Sequence, residues 1–244
     1  MRVSVVIPAL NEGSLIADCV ERAWRAKADE VIVVDGSSAD TTRQLAEQAG
    51  ARVMIAAKGR ATQQNAGATL ATGDILLFVH ADCTLGRHCI SQIRTTMTSS
   101  EFGYGCFRQR IMAKGVKYRA LELGNDLRAR VLQMPYGDQG IFIRKDLFDE
   151  IGGFAEFRLM EDAIIANELR RRTRPAILQG PIQVDARRWE KHGVVQQTFR
   201  NLLLTFAWRM GVHPDRLAKY YESHCKAPIH QLPKTESAAS NASN

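Results

Sequence analysis

The sequence predicts an α/β protein with a mostly parallel central sheet, flanking helices and a C-terminal helical extension, and two observations carry that expectation. Over the first 82 residues, short apolar runs alternate with helical patterns in the order strand, helix, strand, helix, strand, helix, strand. That alternation belongs to parallel sheets with right-handed crossovers. The run at 75–79, Ile-Leu-Leu-Phe-Val, is apolar throughout and fits a strand covered on both faces.

Residues 2–7 form the expected first strand, stopped by Pro8, which has no N–H for a ladder. Asn11-Glu12-Gly13-Ser14 opens a helix carrying Leu15, Ile16, Cys19, Val20, Ala23 and Trp24 at helical spacing. A strand at 30–34 ends at Asp35-Gly36-Ser37-Ser38, and a helix over 39–49 stops at Gly50. A third strand, 52–56, reaches Lys58-Gly59-Arg60, and the Ala- and Gln-rich stretch 61–71 is helical, leading to the strand that ends at His80-Ala81-Asp82. The second part is less regular: helix 87–98, strand 102–110, amphipathic helix 116–133, strand 141–144, helical turn 145–151, a helix from Met160 to about Arg171, helix 196–210 and a last helix 214–222. Residues 1–225 read as one domain. From Lys226 the composition turns to Pro, Ser, Ala, Asn and Thr, a polar tail over 226–244 that is expected to be disordered.

A chain of 244 residues with 45% hydrophobic content can bury a proper core. Its start runs directly into a strand with no signal-peptide pattern, and no apolar run approaches the roughly 20 residues of a bilayer span. A cytoplasmic location is expected, with the inner face of the membrane as a variant of it. Cys19, Cys83, Cys89, Cys106 and Cys225 form no CxxC pair and read as reduced thiols, and the Cys and His spacing near residues 80–89 fits no usual zinc module. The formal charge of +7 favours anionic partners, although most of the cations after residue 107 read as solvated helix faces. Nucleic acid is disfavoured, because basic and aromatic residues do not interleave as on an RNA-binding sheet.

Four polar clusters fall just past strand ends: Pro8-Ala9-Leu10-Asn11-Glu12, Asp35-Gly36-Ser37, Lys58-Gly59-Arg60 and His80-Ala81-Asp82. In a parallel sheet these ends share one edge and converge on one crevice. Singly, each could be a turn or a cap. Together they point to a nucleotide site in which Asp35 accepts from a base or ribose, Arg60 meets phosphate, and Asp82 suits a hard divalent cation, Mn or Mg. The absence of G-x-G-x-x-G and of a P-loop argues against a dehydrogenase and a P-loop kinase.

The ordered series Val5-Val-Ile-Pro-Ala-Leu-Asn-Glu12, Val33-Val-Asp35-Gly-Ser-Ser-Ala-Asp-Thr41, Gly59-Arg60 with Asn65-Ala-Gly67, His80-Ala-Asp82, Gly152-Gly-Phe154 and Glu161-Asp162 resembles a family 2 glycosyltransferase of the GT-A fold, which is Rossmann-like, over residues 2–222. Tyr136-Gly-Asp-Gln139 and Ala186-Arg-Arg-Trp-Glu190 with Gly193 are similar to the branch called radical-SAM/selenodomain-associated transferase 2. The resemblance implies inverting transfer of a sugar from a nucleoside diphosphate sugar to a hydroxyl acceptor, lipid-linked in many relatives. It puts Pro8, Ala9, Asn11, Glu12, Asp35, Gly36, Ser37, Arg60, Asn65 and Asp82 around the donor nucleotide. Asp82 corresponds to the last acid of the family's D-x-D metal motif. His80 replaces the first, and imidazole suits manganese better than magnesium, so His80 binds the metal, contacts the nucleotide or only packs beside Asp82.

The same resemblance makes Glu161 and Asp162 the acidic pair that supplies the general base; their other reading is charge at a helix N-terminus. Ile164 stands where many relatives carry a further acid. Tyr136, Asp138, Gln139, Arg188 and Trp189 would face the acceptor, although Asp185 stands where processive synthases with a similar Arg-Trp carry glutamine. His192 reads as a metal ligand, a diphosphate contact or, equally, a surface histidine. The apolar stretch 198–208 reads first as a helix packed on the domain and second as a peripheral membrane contact. Two other functions share these features, an inactive sugar-nucleotide binding or regulatory module and a nucleotidyltransferase; oligomeric state is open.

Overall fold

The computed structural model describes residues 1–225; the expected tail over 226–244 lies outside the described residues. The first half follows the alternation: β1 (Val3–Ala9), α1 (Ile16–Arg25), β2 (Glu30–Asp35), α2 (Thr42–Gln48), β3 (Arg52–Ile55), α3 (Arg60–Leu70) and β4 (Ile75–Phe78). Then come β5 (Cys83–Leu85), α4 (Cys89–Thr96), β6 (Phe102–Ile111), α5 (Val116–Val131), a 3-10 turn at Gly137–Gln139, β7 (Ile141–Arg144), α6 (Lys145–Glu150), α7 (Glu161–Leu169), β8 (Arg174–Val184), α8 (Arg187–His192), α9 (Val194–Arg209) and α10 (Pro214–Cys225).

All eight strands form one sheet in the order β3-β2-β1-β4-β7-β6-β8-β5. β7 runs antiparallel to β4 and β6, β5 runs antiparallel to β8, and the remaining pairings are parallel. Apolar side chains cover both faces. Val5, Val33 and Leu77 pack with α1 and α4 on one, and Val6, Val34 and Phe78 with α3, α6 and α7 on the other. A third cluster joins Leu204 of α9 and Leu217 of α10 to Met134, Leu159 and the start of α7. α3 lies close on β1 and β2 because Gly67 faces them: a Cβ there would stand 2.4 Å from Val6 Cγ1 and 3.0 Å from Val34 Cγ2.

Pro8 lies inside β1 instead of stopping it. β4 pairs only with Val3–Val6, and Val79 N–H donates to Val6 O at 3.0 Å. Two residues on, Pro8 turns its nitrogen to the same side, beyond the last residue of β4, where no ladder bond is lost. The strand β8 and helix α8 were not expected. Pro175, Gly180 and Pro181 interrupt β8, whose register slips from Phe107↔Leu178 to Gln109↔Ile182, so that Gln179, Gly180 and Pro181 stand opposite Arg108 alone. Such a bulge breaks the period-two pattern by which strands are read.

Candidate active site

The carboxyl ends of β1, β2 and β4 share one edge, and their loops are sewn together by side chains. Asp35, 3% exposed, accepts the Ser38 N–H at 3.0 Å and the Ser38 hydroxyl. Ser38 Oγ in turn accepts the Asn11 N–H at 2.9 Å, and Asn11 Oδ1 accepts the Ala39 N–H at 2.9 Å. Asn11 and Ser37 hold φ of 55° and 68° to make these turns. Beneath them Gln63, buried on α3, donates to Ala9 O at 2.9 Å and Val34 O at 2.7 Å. A Cβ on Gly36 would stand 3.1–3.2 Å from that amide, so Gly36 gives Gln63 its place. Sequence reading missed Gln63, whose only signal was a glutamine on an otherwise small-residue helix.

Above this floor lies a crevice of about 600 Å³ walled by Pro8, Ala9, Glu12, Arg60, His80, Asp82 and Arg188, among others. It adjoins a cavity of about 90 Å³ that shares Arg60, His80 and Arg188 and adds Tyr136, Asp138 and Asp162. Asp35, Gly36 and Ser37 stand beside the crevice at the end of β2, which pairs Asp35 with Ala9. Asn65 departs from expectation. Its amide donates to Phe154 O and accepts the Phe154 N–H, both at 2.9 Å, so it ties α3 to the turn after Gly153 instead of facing the nucleotide crevice.

Helix α8 closes one side of the crevice with two arginines. Arg187 Nη2 donates to Glu12 Oε2 at 2.6 Å, and Arg188 Nη2 to Asp82 Oδ2 at 3.4 Å. Burial opposes the charge of Asp82, yet the arginines of α8, Arg188 foremost, hold its carboxyl below the usual range. Burial raises Glu12 against the pull of Arg187. His80 is lowered by burial and then by Arg60, which keeps the imidazole neutral, and its Nε2 is buried without a partner among the described residues. The ring lies against Gly137, where a Cβ would stand 2.5 Å from Nε2.

Asp82 fits a divalent cation. Its oxygens receive weak contacts from Arg188 at 3.4 Å and from the Cys83 thiol at 3.5 Å. A hard cation takes one or two protein carboxylates and fills its shell from phosphate and water. No group of three or more acidic, His or Cys residues able to hold a metal occurs among the described residues, so phosphate oxygens would have to complete the shell. The side chain of His192, which ends α8, lies outside the described residues.

Glu161 and Asp162 open α7 behind Met160, whose φ of 69° is left-handed. Asp162 Oδ2 accepts the Gly137 N–H at 2.9 Å and Oδ1 the Ala163 N–H at 2.8 Å, which fixes the carboxylate toward the small cavity. Glu161 is 1% exposed, and its Oε1 lies 2.8 Å from Arg60 Nε in an ion pair. Attraction to Glu161 raises the Arg60 guanidinium further, and burial lifts the Glu161 carboxyl against the pull of Arg60.

The expected acceptor residues divide. Tyr136 and Asp138 line the small cavity; Asp138 Oδ1 is buried with no partner among the described residues. Gln139 does not face a ligand: fully buried, its Oε1 accepts from Arg128 at 2.8 Å and from the Tyr136 N–H at 3.1 Å, which braces the turn. Trp189, 7% exposed, packs largely in the core cluster on one sheet face and borders the apolar space beside α9. The apolar stretch of α9 is only partly packed, since Phe199, Leu202, Leu203 and Phe206 are exposed. No helix among the described residues is long and apolar enough to cross a membrane.

Glycosyltransferases are among the proteins similar to this chain. Glucosyl-3-phosphoglycerate synthase from Mycolicibacterium smegmatis is 37% identical over 94 residues, 33% of this chain and 30% of that protein, and glycosyltransferase AglJ from Haloferax volcanii is 38% identical over 65 residues, 25% of this chain and 22% of that protein. These alignments thus span less than a third of either relative. The crystal structure of S. aureus TarS 1–349 in complex with UDP-GlcNAc superposes with a TM-score of 0.62 at 17% identity, covering 76% of this chain and 58% of that one. Glucosyl-3-phosphoglycerate synthase from Mycobacterium tuberculosis, solved with Mg2+ and UDP, gives 0.55 at 22% identity, covering 75% and 69%. These likenesses establish the GT-A fold. The model of glycosyl transferase family 2 matches residues 4–160, more than half the chain, and the protein is a glycosyltransferase belonging to that family.

Proposed function

We propose that this enzyme transfers a sugar, with inversion, from a nucleoside diphosphate sugar to a hydroxyl acceptor, with Asp162 as general base. The observation that carries the reading is the position of Asp162: two backbone N–H groups fix it at a cavity that opens from the nucleotide crevice. The acceptor hydroxyl gives its proton to Asp162 as its oxygen bonds the anomeric carbon. The bond from that carbon to the diphosphate oxygen breaks on the opposite side and leaves its electron pair on the diphosphate. Arg60, Arg187 and Arg188 face the departing charge, where fixed guanidinium donors act most strongly. A divalent cation held by Asp82 would neutralise part of the same charge; His80, next to it and neutral, is positioned for metal or phosphate. Neighbours solved with Mg2+ or Mn2+ and UDP support a uridine donor and such a cation.

Pro8, Ala9, Glu12 and the Asp35-Gly36-Ser37 loop would surround the nucleoside. Tyr136, Asp138 and Arg188 would meet the acceptor. Residues 1–225 act as one domain in the cytoplasm, in keeping with the four free, buried cysteines among the described residues. The Tyr136–Gln139 and Ala186–Glu190 motifs, both at the site, support assignment to the radical-SAM/selenodomain-associated branch.

The test is nucleoside diphosphate release from a panel of sugar nucleotides, in manganese, magnesium or chelator. Asp162→Asn should lower transfer by about 10²–10⁴-fold with donor affinity kept. Transfer that survives both chelator and Asp82→Ala would overturn the cation site. Donor binding without turnover under every condition would leave a sugar-nucleotide binding module instead.

A further inference from the structure

We infer that the acceptor is an anionic amphiphile whose apolar chain lies in a groove between α5 and α9; the inference rests on the transferase reading for the position of the reacting hydroxyl. The groove holds about 1020 Å³, at the upper end of small-molecule sites, and is mainly apolar. One wall is a face of α9: Val195, Phe199, Leu202 and Phe206 recur at i, i+4, i+7 and i+11 and are 81%, 62%, 63% and 63% exposed. On a helix of a globular domain that spacing belongs to the buried stripe. Among the described residues nothing packs over it, while Gln197 and Leu204 of the same helix are buried.

Three features identify the occupant. The first is continuity: Tyr136, Asp138, Asn201 and Thr205 line both this groove and the cavity that holds Asp162. The Tyr136 hydroxyl lies 3.0 Å from Thr205 Oγ1 at that junction, so a chain leaving the cavity runs past this pair. The second is Gly124, in the middle of α5 on the opposite wall. A Cβ there would meet nothing within 4 Å, so packing does not require the glycine, and a helix-interior glycine is unfavourable relative to alanine. Its absent side chain keeps the groove open. The third is charge: Lys117, Arg128 and Arg209 line the groove against a single acid, Asp138, at the inner end. Arg128 also braces Gln139 and lies over the Tyr136 ring, so Lys117 and Arg209 carry the charge argument, and a donor nucleotide would not fill apolar walls.

The test is calorimetric titration of the full chain, without donor, with butyl, octyl and dodecyl phosphate below their micelle concentrations. Affinity should rise with chain length, by up to about fourfold per buried methylene. Phe199→Glu and Gly124→Phe, both at open positions and checked for native melting temperature, should weaken dodecyl phosphate at least tenfold while butyl phosphate changes little. Equal affinity for all three phosphates, or insensitivity to both substitutions, would overturn the proposal. Dodecyl maltoside binding as tightly as dodecyl phosphate would overturn its anionic part. A native dimer by light scattering that Phe199→Glu converts to monomer would show that a second copy covers this face, which also overturns it. Because donor is absent, these titrations hold or fail independently of transfer: alkyl binding without any sugar transfer would count against the catalytic reading and not against the groove.

Discussion

Glu161 and Asp162 are adjacent carboxylates in opposite surroundings. Asp162 accepts two backbone N–H groups at the cavity, whereas Glu161 is buried with no hydrogen bond to either oxygen among the described residues and relies on the Arg60 charge. Burial lifts the Glu161 carboxyl above its ordinary range, Arg60 partly opposes this, and the neighbouring Asp162 adds to it. A folded-state value above the unfolded one means that this group's stabilising contribution is full at pH below the unfolded value and is lost as pH rises through the folded one. Glu161→Gln fixes the neutral form. Its melting temperature relative to the natural protein should therefore climb between acid and neutral pH, and a difference that stays flat across that range would refute the shift. The pair was legible in the sequence as an acidic dipeptide. The division of labour was not, because it depends on Gly137 and Arg60, which are 25 and 101 positions away from Asp162 and Glu161 respectively.

Strand direction decides which loops can cooperate. Because β7 is antiparallel to β4, the residues that precede β7 emerge at the same edge as those that follow β4, and Gly137 meets His80 there. A wholly parallel sheet would send Tyr136 and Asp138 to the far end. The helix α8 supplies the remaining side through Arg187 and Arg188. Arg188→Ala removes a charge-assisted contact from the crevice and should lower kcat and the donor kcat/KM at least about tenfold; steady-state kinetics over a donor series decides it. The elements of the donor half were readable to within a few residues, because clean alternation leaves little choice. β8 and α8 were not, since prolines and a bulge erase the periodicity of one and the other has only six residues. Polar residues inside the elements misled in both directions. Asn65 and Gln139 brace backbone, and the unremarked Gln63 holds two strand ends. Packing beneath the site is tight at one point in particular: Gly67→Ala would press a methyl onto Val6 and Val34, and thermal denaturation should show a loss of about 1–3 kcal/mol.

At the scale of the molecule, the family model ends at Met160 and the chain continues for a further third, with Asp162, Arg187, Arg188 and the outer wall of the groove all in that portion. Residues from both portions line the crevice and the cavity beside it, so the site is completed only where the two meet at one edge of one sheet. The net charge of +7 was a weak pointer to anionic ligands in the sequence alone; the structure gathers part of it as Arg60, Arg187 and Arg188 around the crevice. The open face of α9 was only the second reading of its apolar stretch in the sequence, because its spacing is that of a packed helix and only the fold shows where it points.

The three-residue strand β5 directly follows Asp82, and its sheet partner is β8, through Cys83↔Val184, Thr84↔Gln183 and Leu85↔Ile182. A nascent chain leaving the ribosome has therefore made the β1–β4 core long before it can anchor the segment behind Asp82. At about 5–20 residues per second, the intervening hundred or so residues take on the order of 5–20 s. For that interval the crevice lacks both the anchored β5 and the arginines of α8. A polypeptide ending before β8 would carry the donor-half sequence without the partner strand of β5 and without Arg187 and Arg188 beside Glu12 and Asp82.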